Sequence, residues 1–128
     1  MTRNVNEFII EMLPGQQIRF EFSFNCRWEN LIEIYQEING VSQFLLRRNS
    51  IYPGSTDPFL TDRNGLGGPI AFRIFGLHKP ESSPLVKWRK STGQQRIVDG
   101  NTIRIGYDDQ YKPGDSDFMN AIVLAHYV

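Results

Sequence analysis

Asp108, Asp109, Asp115 and Asp117 fall within ten residues, in the stretch GYDDQYKPGDSDFMNAIVLAHYV that runs from Gly106 to Val128. Carboxylates this close repel one another unless a cation lies among them. Calcium takes about six to eight oxygen ligands and accepts carboxylates in flexible geometry. Asp115-Ser116-Asp117 sets two carboxylates on alternate residues, so both can point to one side of an extended loop. Asp108 and Asp109 arrive from the end of a preceding strand, and Asn120 offers an amide oxygen at the start of the next. The chemistry is that of a hard divalent cation site. A solvated acidic turn would use the same residues, because Asp and Gly are good turn formers. Spacing alone leaves both readings standing.

The other reactive residue types are few. Cys26 is the only cysteine, so no internal disulfide exists, and its expected place is a buried apolar one. His78 lies in GLHKPE, a turn that predicts exposure, and His126 sits beside Tyr127 in the final apolar run, where a structural or subunit-contact role is expected. Neither has a cysteine partner for a zinc site. NGLGGP lacks the Lys-Ser/Thr of a phosphate-binding loop, and no Gly-x-Ser-x-Gly nucleophile elbow occurs. Nothing resembles a positioned nucleophile and base, so the chain is read as a non-enzyme. Trp28, Trp88, Tyr52 and Tyr111 have flat faces that stack on sugars, although the two Trp also suit a core. KWRK at 87–90 interleaves Trp with charge, as an edge strand does.

The elements that must position the acidic loop are short and alternating. In QIRFEFSFN, Ile18, Phe20, Phe22 and Phe24 share one face and Arg19, Glu21 and Ser23 the other, the period of a half-buried strand. Leu13-Pro14-Gly15 ends a first segment, EFIIEM. FRIF at 72–75, VKWRK at 86–90, TIRIG at 102–106 and MNAIVLAHY at 119–127 read as further strands, with Asp99-Gly100 as a hairpin turn. WENLIEIYQEING fits a helix face through Leu31, Ile34, Tyr35 and Ile38, and it fits a strand ending in an Asn39-Gly40 turn. The all-β surroundings favour strand–turn–strand with VSQFLLR. Residues 49–69 are turn-rich and are expected to form a surface excursion. The whole is predicted to be a single all-β domain over 1–128, an antiparallel β-sandwich.

The 128 residues suit one core, and 14 basic against 14 acidic residues give no net charge and no footprint for nucleic acid. No apolar run is long enough to span a bilayer, so no membrane insertion is expected. MTRNVNEFII lacks a signal-peptide pattern, so a cytoplasmic location is expected, with non-classical release to the cell surface or exterior still open.

GYDD…DSDFMNAIVLAHY resembles the C-terminal motif of the bacterial calcium-mediated fucose/mannose-binding lectins. FIIEMLPGQQIRFEFSFNC is similar to that family's first strand, Leu-Pro turn and second strand. Looser likeness runs through ENLIEIYQEINGV and GLHKPESSPLV, while residues 49–69 have no counterpart. The resemblance implies a nine-stranded β-sandwich lectin without enzymatic activity, with two adjacent calcium ions in the acidic loop and sugar hydroxyls bound directly to them. By position, it makes Asp108, Asp115, Asp117 and Asn120 ligands of both metal and sugar, and Asn25 a metal ligand from the second strand. Asp109 would ligate or orient a neighbour. Arg27 and Trp28 follow Asn25 where the family has small hydroxyl residues that tune sugar choice. The family pairs through its C-terminal region, so a homodimer or higher oligomer is expected.

This chain departs from the pattern at several points. Its acidic loop is about three residues longer, by comparison of DQYKPGD with the family's spacing. Met119 stands where the family has an Asn ligand, and a thioether is a poor calcium ligand. Asn120 replaces a carboxylate, and the chain stops at Val128. Four carboxylates balance two calcium ions only if all four serve, so one ion is expected rather than two. The expected function is calcium-dependent binding of a fucose- or mannose-type sugar at the 106–120 loop. The alternative is a structural or protein-interaction module that keeps the sandwich without the sugar site.

Overall fold

Alternation of apolar and polar residues decides which way the central strands face. In the computed structural model, which describes residues 5–80, 87–109 and 118–128, Ile18, Phe20 and Phe22 are buried while Arg19 and Ser23 are exposed. They lie on β2 (Ile18–Phe24). Before it comes β1 (Phe8–Met12), which buries Ile10 and Met12. After it, β3 (Glu29–Ile38) and β4 (Val41–Asn49) form the hairpin. Asn39 and Gly40 make its turn with φ of 51° and 80°, a pair of left-handed residues as a tight two-residue hairpin requires. The helical option for this segment is thereby excluded. The pairing slips between Ile34 and Tyr35, a bulge that lets Tyr35 oppose Phe44.

The remaining strands are β5 (Phe59–Leu60), β6 (Ile70–Lys79), β7 (Arg89–Lys90), β8 (Thr92–Asp99), β9 (Thr102–Asp108) and β10 (Ala121–Tyr127). They make two antiparallel sheets. Sheet A has the order β1-β6-β3-β4, and β7 pairs with β6 at Leu77 and His78, beyond the reach of β1. Sheet B has the order β5-β2-β10-β9-β8. The fold is the expected all-β sandwich.

The core lies between the sheets, with Phe20 and Phe72 meeting edge-on at 5.3 Å between ring centres. Tyr107 crosses the gap, its single hydroxyl proton shared between Asn6 O at 2.9 Å and Ile74 O at 3.2 Å. Gly76 and Gly93 flank its ring so closely that a Cβ on either would collide with it. Tyr127 closes one side by donating to Glu11 O at 2.6 Å.

Several local expectations need correction. Residues 49–69 are more than an excursion, since β5 extends sheet B beside β2. Asn64 is buried there and donates to Met12 O and Gly68 O. His78 is buried on the inner side of β6, not exposed in a turn, and its Nδ1 shares a 2.9 Å hydrogen bond with Ser91 Oγ. Trp28 and Trp88 are half-buried and belong to no core cluster: Trp28 stacks on His78, and Lys79 Nζ sits 4.7 Å above the Trp88 ring. Cys26 is half-buried among polar groups rather than deep in an apolar one.

Candidate functional site

β10 lies between β2 and β9, and this arrangement gathers the acidic stretch. The end of β2, the end of β9 and the start of β10 meet at one edge of the sandwich. Asn25 N donates to Asn120 O at 3.0 Å, and Asn120 N donates to Tyr107 O at 3.1 Å. Asn120 therefore bridges the two flanking strands by its main chain. Its side chain does the same: Oδ1 accepts from Asp109 N at 3.1 Å, and Nδ2 donates to Asn25 O at 3.1 Å.

Asp108 and Asp109 follow one another at this edge, only 2% and 1% exposed. Adjacent carboxylates are seldom buried so completely without partners that favour their charge. One such partner comes from the facing sheet. Asn30, fully buried at the start of β3, donates from Nδ2 to Asp109 Oδ2 at 2.9 Å and to Trp28 O at 3.1 Å. Both neighbours only accept, so the amide nitrogen must face them. Asn30 Oδ1 is then left buried, with no hydrogen-bond partner among the described residues.

The backbone entering the loop is constrained. Phe118 has φ of 54°, a left-handed value for a bulky residue. Its carbonyl accepts from Arg104 Nη2 at 2.9 Å and lies against Gly106, where any Cβ would strike it. Gly106 is thus required by a close approach of backbone to backbone.

A second polar shell backs Asp109. The Cys26 thiol lies beside Asn30, Ser50 and Asp109; burial pushes its pKa up first and the Asp109 charge adds to this, against the hydrogen bonds from Ser50 and Asn30. It is a protonated thiol, not a nucleophile. Burial likewise pushes the His78 imidazole down, with Asp109 opposing and Arg89 assisting, so His78 is neutral at pH 7. Its ring lies parallel to Trp28, 5.8 Å between centres.

Of the residues singled out by sequence, Asn25, Asp108, Asp109 and Asn120 come together. Asp115 and Asp117 lie outside the described residues, as does Tyr111. Arg27 and Trp28 follow Asn25 at the same edge, Arg27 exposed. Tyr52 is exposed in the turn after β4, and Met119 is exposed at the mouth of the loop. Asn30 was not anticipated. Its only trace in the sequence is a polar pair, Glu29-Asn30, directly before the apolar pair Leu31-Ile32. Glu29 is buried too and accepts from Asn49 Nδ2 at 2.6 Å.

The donors assembled here are carboxylate and amide oxygens, which suit a hard cation. Among the described residues no three His, Cys, Asp or Glu form a metal-ligand group. Asp108 and Asp109 are buried at this edge, and Asn30 Oδ1 is buried as well.

By sequence, no family model matches the chain, and no curated protein aligns with it. By structure, it is similar to bacterial lectins. The C-terminal domain of the BC2L-C lectin from Burkholderia cenocepacia matches with a TM-score of 0.57 at 16% identity, over 100% of this chain and 98% of that one. A Chromobacterium violaceum lectin, solved in complex with alpha-methyl-fucoside, gives 0.54 at 13% identity over 94% and 95%. The Ralstonia solanacearum high-affinity mannose-binding lectin gives 0.51 at 13% over 94% and 95%. These likenesses establish the fold, a lectin-type β-sandwich, across nearly the whole chain. Among the described residues no helix is long and apolar enough to cross a membrane.

Proposed function

We propose that the protein is a carbohydrate-binding lectin whose sugar site is the 106–120 loop, loaded with a single calcium ion. The observation that carries this reading is the adjacent buried pair Asp108–Asp109, set at the strand ends of a fold shared with fucose- and mannose-binding lectins. Asp108 and Asp109 with Asp115 and Asp117 would hold the ion, which when bound supplies open coordination positions for sugar hydroxyls. Asn25 would contribute from the end of β2.

The chain's own groups do the positioning. Asn30 fixes the Asp109 carboxylate from the facing sheet. Asn120 fixes the Asp109 main chain and ties β2 to β10. With its oxygen committed to the Asp109 amide, Asn120 is better placed to brace the loop than to ligate. Arg27 and Trp28, just beyond Asn25, would set sugar preference. No catalysis is required, and a homodimer would present two such loops.

A glycan array probed with calcium and with chelator tests this directly. Fucose- or mannose-type signals that vanish in chelator are expected. An array silent in both conditions, with no calcium-dependent melting shift, would instead favour an interaction module, the reading that Met119 and the engaged Asn120 oxygen favour.

A further inference from the structure

The outer face of sheet A is not the polar surface that a solvated sheet face normally shows. Strand register aligns Tyr35 with Arg73, Glu33 with Phe75 and Leu77 with Lys90. Together they line a groove of about 330 Å³, near the lower end of small-ligand sites. Tyr35 stands edge-on to Phe75, 5.7 Å between centres and at 90°, and edge-on to Phe44 at 5.7 Å and 76°. The aromatic floor is therefore braced on both sides.

The polar walls are fixed in advance. Arg73 Nη2 lies 3.1 Å from Glu37 Oε2, and its Nη1 lies 3.0 Å from Glu7 Oε1. Glu33 Oε2 is held by Arg47 Nη2 at 2.6 Å. Each keeps polar atoms for a further hydrogen bond while its charge is neutralised.

Lys90 differs. It is exposed, and it makes no ion pair with a carboxylate of the described residues. Lys87 and Arg89 beside it are also exposed and make no such pair, and half-buried Lys79 on β6 makes none either. Lys90 is thus the cationic end of an aromatic groove, beyond the simple edge-strand role of its run.

We propose that this groove is a second glycan site, independent of calcium and of the acidic loop, and selective for pyranoses that carry a carboxylate. The two rings stand perpendicular, so the apolar face of the sugar would lie on one of them while the other walls the groove. Ring hydroxyls, which both donate and accept, match the fixed Glu33 and Arg73 pair. The carboxylate meets Lys90, an ion pair that a neutral sugar cannot form. The site stands or falls separately from the loop, because it lies on a different sheet and needs no metal.

The experiment is an NMR titration in chelator-containing buffer with trigalacturonic acid and, in parallel, its methyl ester. Saturable shifts of the Tyr35 and Phe75 ring signals are expected below about 10 mM acid. The neutral ester and the Lys90→Glu variant should each bind about fivefold or more weakly, the scale of one partly exposed ion pair. Tyr35→Ala should abolish the shifts, with the Phe20 signals confirming an intact fold. Absence of saturable shifts, or equal binding of acid and ester, overturns the proposal. So does a self-associating protein that Phe75→Ala renders monomeric, since the face would then be an interface between copies. Because chelator is present throughout, failure of calcium-dependent binding at the loop cannot produce any of these results.

Discussion

Asp109→Asn separates a metal-loading carboxylate from a structural one. The substitution keeps shape: an Asn oxygen at this position can still accept from Asn30 Nδ2, and the backbone bond to Asn120 Oδ1 is unaffected. The charge is removed, and one carboxylate oxygen becomes an amide donor. Without calcium, that charge sits 1% exposed beside buried Asp108, so losing it should leave the fold as stable as before or more so. With calcium the sign reverses. A ligand bound only to the folded state contributes about 2.7 kcal/mol at a hundredfold excess over its Kd. For a chain of this length each kcal/mol moves Tm by about 4 °C, so the wild type should gain roughly 10 °C. Asp109→Asn should lose most of that gain while matching or exceeding the wild-type Tm in chelator. Scanning calorimetry in calcium and in chelator, with magnesium as a control, reads both. A calcium shift that survives the substitution undiminished would refute a role for Asp109 in binding. A variant that melts well below wild type in chelator would show the carboxylate to be structural.

Four further outcomes are expected. Phe20→Ala should cost about 3–5 kcal/mol in urea unfolding, because the ring is fully buried against Phe72, whereas Ser23→Ala on the opposite face should stay within about 0.5 kcal/mol. Gly106→Ala should cost about 1–3 kcal/mol and weaken calcium-dependent melting, since its Cβ meets the Phe118 carbonyl at the loop entrance. His78 has a lowered pKa in the fold, so the unfolded chain takes up its proton first; stability should be full above about pH 6.5 and fall as pH drops through that value toward the folded pKa. His78→Gln should flatten that limb of a pH series of urea melts, and an unchanged limb would assign it elsewhere. Sedimentation at micromolar concentration should show a dimer, and a monomer would remove the expected pairing through the C-terminal strand.

Where structure depends on neighbours in the chain, the sequence was sufficient. The period-two pattern of QIRFEFSFN dictates which side of β2 is buried, because successive side chains of a strand alternate faces whatever the strand pairs with. Asn39-Gly40 is legible for the same reason, since two consecutive left-handed residues are a local demand that those types meet. The gathering of Asp108 and Asp109 at a strand end, next to Asn120, was also visible, since a single loop joins the two strands that carry them.

What lay between distant segments was not. Asn30 and Asp109 are 79 residues apart, and their bond exists only because sheet A brings the start of β3 over the end of β9. His78 reads as a turn residue until β6 is seen to run to Lys79 and bury its inner side. Cys26 and Asn30 change character in the same way, from an apolar filler and an ordinary strand amide to members of one polar cluster, Asn30 buried and Cys26 half-buried. The aromatic groove is likewise invisible in Tyr35, Phe75 and Lys90 taken singly, because antiparallel register, not proximity along the chain, puts them on one face. Local periodicity selects the side of a strand; the order of strands in the sheets selects what that side meets.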